Sequence, residues 1–149
     1  MPQVQIILGS QTDLAVVEPA QKVLTELGID SQVTVCSAHR NPRRLVKLIE
    51  ETEAKTDVYI GVAGMAAALP GVIAAHTVKP VIGLPVKSAD LNGLDSLLSI
   101  VQMPPGVPVA CVAIGGGKNA GVLAAQIIAL KDAAVAERVM RFKEDLAKA

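Results

Sequence analysis

Two short runs hold the side chains best suited to chemistry. Ser37-Ala38-His39-Arg40-Asn41-Pro42 packs a hydroxyl, an imidazole and a guanidinium into four consecutive residues. An imidazole exchanges a proton near neutral pH. A guanidinium grips a phosphate through two parallel N–H donors. A histidine also serves as a plain structural hydrogen-bonding group; the predicted place of His39 at a strand end favours the chemical role. Gly9-Ser10-Gln11-Thr12-Asp13 combines a turn-forming glycine, a hydroxyl and a helix start whose free N–H groups suit an anion. Asp13 would repel a phosphate and better suits ribose hydroxyls. The same run also reads as an ordinary loop ending in an Asp N-cap.

Three further loops are candidates. Gly61-Val62-Ala63-Gly64-Met65-Ala66-Ala67-Ala68-Leu69-Pro70-Gly71 is poor in side chains. It exposes backbone to a flat ring, with Gly64, Ala68 and Leu69 as candidate contacts, or it serves close helix–sheet packing. Pro85 to Gly93 is a polar loop able to close over a ligand. Gly115-Gly116-Gly117-Lys118-Asn119 suits an anion or a simple turn, and lacks the spacing of a P-loop. His76 falls late in a small-residue helix and reads as structural or surface.

The elements that must position these groups follow from the apolar pattern. Strands are predicted at Val4–Leu8, Gln32–Cys36, Asp57–Val62, Pro80–Leu84 and Val109–Ile114. Helices are predicted at Asp13–Leu27, Pro42–Ala54, Ala66–His76, Leu94–Val101 and Lys118–Leu130, and from Asp132 towards Lys148. Pro19 should kink the first helix or delay its regular start. Asn41 and Pro42 give an N-cap followed by proline at the first helical position. Strands alternating with helices imply a mostly parallel sheet covered on both faces. The expected fold is α/β: a flavodoxin-like three-layer αβα sandwich with a five-stranded parallel sheet, formed by residues 1–149 as a single domain. Such folds bind ligands beyond the carboxyl ends of their strands, where each candidate loop falls.

Composition narrows the class. The formal net charge is zero, and the aromatic residues are one Tyr and one Phe. A chain without a basic block or stacking aromatics argues against nucleic-acid binding. Gly, Pro or charge interrupts every apolar run before it reaches membrane-span length. No basic segment followed by an apolar one opens the chain, so a signal peptide is not expected. Cys36 and Cys111 lie far apart in apolar runs and read as reduced, buried thiols in a cytoplasmic protein; a disulfide or a catalytic thiol is the alternative. With 51% hydrophobic residues in a chain of 149, the apolar excess points to buried subunit contacts.

Several blocks occur together and in order: Gly9-Ser10-x-x-Asp13, Ser37-Ala38-His39-Arg40, Leu69-Pro70-Gly71, Pro80 to Val86, and Gly93 to Pro104. Through them the chain closely resembles the N5-carboxyaminoimidazole ribonucleotide mutases and aminoimidazole ribonucleotide carboxylases of purine biosynthesis, from Gly9 to about Lys131. The resemblance implies a flavodoxin-like subunit in a homo-octamer, with no metal or organic cofactor. It implies that Ser10, Asp13 and Arg40 bind the ribonucleotide, that Ser37 helps hold the phosphate, and that His39 is the general acid and base. Bacterial mutases usually carry His where this chain has Ala68, and glycine where it has Met65. Carboxylases that use free CO2 usually have Lys where this chain has Arg40. Arg40 and the Ser99-Ile100-Val101-Gln102-Met103-Pro104 block therefore favour the mutase, with direct carboxylation or a non-catalytic nucleotide-binding homologue as alternatives.

Overall fold

The computed structural model describes residues 3–149. Five strands, β1 (Gln3–Leu8), β2 (Asp30–Val35), β3 (Val58–Ala63), β4 (Val81–Pro85) and β5 (Ala110–Cys111), form one sheet. Their order is β2-β1-β3-β4-β5 and every pairing is parallel. That order reverses between β1 and β3, the position where doubly wound sheets open a crevice.

Among the described residues six α-helices cover the sheet: α1 (Leu14–Glu26), α2 (Pro42–Thr52), α3 (Leu69–Ala75), α4 (Leu94–Val101), α5 (Gly117–Ala129) and α6 (Ala133–Ala147). Successive strand residues point to opposite faces. Val4, Ile6, Leu8, Ile60, Val62 and Leu84 therefore pack on α1 and α5. Ile7, Tyr59, Ala63 and Val81 pack with Leu45 and Ile49 of α2, Ile73 of α3 and Ile100 of α4. The three-layer αβα sandwich is thus present. The one large aromatic of the core, Tyr59, shares a 2.8 Å hydrogen bond with Thr52 Oγ1, so its hydroxyl is satisfied inside.

The element boundaries differ from the predicted ones in places that have physical causes. β5 is two residues long, not six. Its partner β4 ends at Pro85, which has no N–H to extend the ladder, and the Pro85 carbonyl is taken by Gly115 N–H at 2.8 Å. α3 begins at Leu69 rather than Ala66. Before it, Ala67 N–H bonds Met65 O and Ala68 N–H bonds Ala66 O, tight turns that exclude a helix. Pro70 then falls in the first turn of α3, where its missing N–H costs nothing. A 3-10 turn at Gln11–Asp13 precedes α1, and Pro19 sits within that helix on its exposed side. The capping residue at this helix start is Ser10, whose Oγ accepts from Thr12 N–H; the Asp13 carboxylate makes no capping bond. Cys111 is half-buried rather than buried.

Candidate functional site

Beyond the carboxyl ends of β1 to β4 lies a cavity of about 620 Å³. Four loops line it, one after each of these strands.

From β1, Gly9, Ser10, Thr12 and Asp13 face the cavity. Gly9 N–H continues the sheet by bonding Val62 O at 3.0 Å, and Asp13 N–H closes the turn on Ser10 O at 3.0 Å. Ser10 Oγ also shares a 2.9 Å hydrogen bond with Thr12 Oγ1. Burial pushes the Asp13 carboxyl above its usual range.

From β2 come Ser37, Ala38, His39 and Arg40. Ser37 Oγ accepts from Arg40 N–H at 3.1 Å and Ser37 O from Asn41 N–H at 3.0 Å. Asn41 Oδ1 then accepts from Arg44 N–H at 3.3 Å and caps α2, with Pro42 at its first position. Arg44 Nη1 reaches back to Val35 O at 3.1 Å. The turn is therefore fixed at both ends, while the His39 and Arg40 side chains stay exposed to the cavity. Cys36, beneath this turn, is buried, and its burial pushes the thiol up against a smaller opposing effect of Arg44. That is the setting of an inert thiol.

From β3, the wall runs through Ala63, Gly64, Met65, Ala68 and Leu69, and carries no ionisable or hydrogen-bonding side chain. Met65 has φ +57° and is 69% exposed. The left-handed region is unfavourable for any residue with a Cβ. From β4, the lining continues through Val86, Lys87, Ser88, Asp90 and Asp95. Val86 N–H bonds Ala63 O at 3.0 Å, which joins the last two walls.

The eight residues assigned from the sequence to catalysis or substrate binding, Ser10, Asp13, Ser37, His39, Arg40, Gly64, Ala68 and Leu69, line this one cavity. Lys87, Ser88 and Asp90, from the loop after β4, and Asp95, in the first turn of α4, were not singled out one by one; for the first three the signal available was the position of their loop after a strand. The Gly115–Lys118 run does not line the cavity, and Lys118 Nζ instead lies 5.4 Å from the Phe142 ring centroid. His76 is the exposed C-cap of α3 and also lies away from the cavity. Among the described residues, no three or more His, Cys, Asp or Glu side chains gather as a metal-binding group. No helix among them is long and apolar enough to cross a membrane.

A cavity with an imidazole and a guanidinium on one side and a side-chain-poor wall on another suits proton transfer on a flat, anionic small molecule. The chain is 52% identical over 145 residues to the N5-carboxyaminoimidazole ribonucleotide mutase of Thermotoga maritima, covering 97% of this chain and 85% of that one. It is 49% identical to the mutase of Saccharolobus solfataricus, covering 98% and 93%. The crystal structure of Treponema denticola PurE superposes with a TM-score of 0.92 at 32% identity, covering 99% and 93%. The AIR carboxylase family model matches residues 3–149, and the chain belongs to that family.

Proposed function

We propose that this protein is an N5-carboxyaminoimidazole ribonucleotide mutase of purine biosynthesis, converting that compound to 4-carboxyaminoimidazole ribonucleotide. The observation that carries the reading is the single cavity shared by His39, Arg40, Ser37, Ser10 and Asp13. About half-identity over nearly the whole chain to proteins named for this reaction supports it.

Each group has a role its chemistry fits. Arg40 grips the phosphate as a planar fork, with Ser37 and Ser10 as hydroxyl partners. Asp13 accepts from ribose hydroxyls. The imidazole ring lies against Gly64, Ala68 and Leu69. The N5-carbamate breaks its N–C bond and releases CO2, and His39, as imidazolium, protonates N5. C4 of the ring then attacks the retained CO2 and forms the new C–C bond. Neutral His39 removes the proton from C4, which restores both the aromatic ring and the imidazolium. The two proton transfers cancel, so one residue serves both steps. Such catalysis is typically worth ~10² to 10⁴ in rate. Holding CO2 beside C4 adds proximity.

The reading carries a cytoplasmic enzyme that assembles as a homo-octamer. Leu94, Leu98 and Val101 are large, exposed and spaced along one side of α4, which supports a subunit contact there. A stable monomer in light scattering would remove the oligomer from the proposal.

The test of the reaction is a two-arm turnover assay. One arm supplies N5-carboxyaminoimidazole ribonucleotide at low bicarbonate, and the other supplies aminoimidazole ribonucleotide with saturating bicarbonate. Rapid turnover in the first arm alone is expected. Turnover in the second alone would make the protein a carboxylase using free CO2. Inactivity in both arms would overturn the substrate.

A further inference from the structure

Two permanently charged basic side chains line the cavity, Arg40 after β2 and Lys87 after β4. In the strand order β2-β1-β3-β4 they leave the sheet three strand spacings apart, about 14 Å. The substrate of the proposed reaction also carries two anionic groups, a phosphate at one end and the migrating carboxylate on the ring. We propose that Lys87 is the positioning residue for that carboxylate, a reading that rests on the mutase assignment above.

The surroundings of Lys87 point to this role. The side-chain-poor wall Ala63–Leu69 offers no ionic partner for a carboxylate. Lys87 follows directly on Val86, whose N–H is bonded to Ala63 O, and a Cβ on Gly64 would lie 3.6 Å from Val86 Cβ. Lys87 therefore emerges beside the surface where the ring rests. Its backbone is held firmly. Ser88 donates to Asp95 Oδ1 at 2.8 Å and accepts from Gly93 N–H at 3.3 Å, and Ser96 Oγ bonds Val86 O at 2.8 Å. Gly93, at φ +91°, passes so close beneath that a Cβ there would lie 3.2 Å from Lys87 Cα. Among the described residues Lys87 forms no ion pair, although Asp90 and Asp95 line the same cavity. Its ammonium is thus available to an incoming anion. A mobile point charge suits a carboxylate that leaves N5 and reappears on C4 better than a rigid fork does.

Two nucleotides separate this role from others. Aminoimidazole ribonucleotide has the phosphate alone, and 4-carboxyaminoimidazole ribonucleotide has the phosphate and the carboxylate. Calorimetry on the full chain with Lys87→Gln is expected to show affinity for the carboxylated nucleotide falling roughly 10- to 100-fold, the range for a charge-assisted hydrogen bond. Affinity for the uncarboxylated one should stay within about twofold, which also reports an intact fold. Lys87→Arg should restore part of the loss. During turnover of the N5-carboxylated substrate, Lys87→Gln should release a larger fraction as free aminoimidazole ribonucleotide. Equal loss of both affinities would put Lys87 at the phosphate and overturn the proposal, as would no loss of either. A parent protein that turns over the N5-carboxylated substrate while Lys87→Gln keeps its discrimination would overturn the Lys87 role alone. A parent protein that binds neither nucleotide would overturn the mutase reading with it.

Discussion

Gly61 and Gly83 stand side by side in the β3–β4 register, on the face of the sheet covered by α3 and α4. A Cβ on Gly83 would come 2.3 Å from Ile100 Cγ2, and one on Gly61 3.0 Å from Pro70 Cα. The paired glycines let both helices settle directly on the strands, which sets where the two loops that follow β3 and β4 open over the cavity.

Gly83→Ala should therefore destabilise the protein by about 1–3 kcal/mol through overpacking. Gly61→Ala meets Pro70 at a longer distance and should cost less. Urea unfolding is the check: the midpoint falls in that order while the slope stays constant. Equal stability for the Gly83 variant would mean that α4 shifts freely.

His39→Asn should lower turnover by ~10² or more, the low end of what general acid–base catalysis supplies. Binding of aminoimidazole ribonucleotide should stay within about threefold, because the turn that carries residue 39 is held by Ser37, Asn41 and Arg44 rather than by His39. Parallel assay and calorimetry separate the two effects. Comparable loss of both would assign His39 to binding.

Arg40→Lys replaces a planar fork with a point charge. Its backbone N–H still donates to Ser37 Oγ, so the turn survives. The expected result is substrate affinity weakened about tenfold, the cost of a lost charged hydrogen bond, with a much smaller change in kcat. Unchanged affinity would remove Arg40 from the phosphate.

The fold was legible because parallel strands buried on both faces read as unbroken apolar runs, as Val58–Ala63 does. Strand-end loops follow from that fold, so Ser10, Asp13, Ser37, His39 and Arg40 could be placed before any contact was known. What stayed hidden depended on contacts. β5 stops early because of Pro85 in its neighbour, not because of its own sequence. Gln5, buried in β1, gives no sequence sign of its bond to Thr34 Oγ1 across the sheet at 3.1 Å. Lys87 and Asp90 look like ordinary loop polarity until the walls they share with Gly64 and Ala63 are seen.

Met65 holds φ +57° with a largely exposed side chain, so it keeps a strained backbone for little packing. Met65→Gly should raise stability by up to about 1 kcal/mol, strain relief less the entropy cost of glycine. Met65→Val should lower it, since a β-branched residue tolerates this region least. Thermal unfolding of the pair distinguishes strain from packing. A destabilised glycine variant would show that the Met65 side chain holds the wall.

Asp57 and Asp13 should respond to acid with opposite signs. At Asp57, burial pushes the carboxyl up but is outweighed by hydrogen bonds from Lys131 Nζ and Gln3 N–H and by the charges of Lys131 and Lys79, so the group lies below 3.8. Its folded-state pKa is depressed. The stability it contributes is therefore fully present above 3.8 and is lost as pH falls through the folded value. Lys131 is 67% exposed, and screening limits the contribution to about 1 kcal/mol or less. Asp57→Asn should be less stable than the parent at pH 7, and the gap should close in acid. Asp13 lies above 3.8 because burial disfavours its charge. The folded state then holds the proton more tightly than the unfolded chain, and stability falls as pH rises from 3.8 through the folded value. Asp13→Asn should be more stable than the parent at pH 7, with the gap closing below 3.8, while losing affinity for the ribonucleotide. Denaturant titrations of the three proteins at pH 7 and in stepped acid test both signs. A destabilised Asp13→Asn at pH 7 would mean that the carboxylate supports the β1 turn rather than being kept there for the ligand.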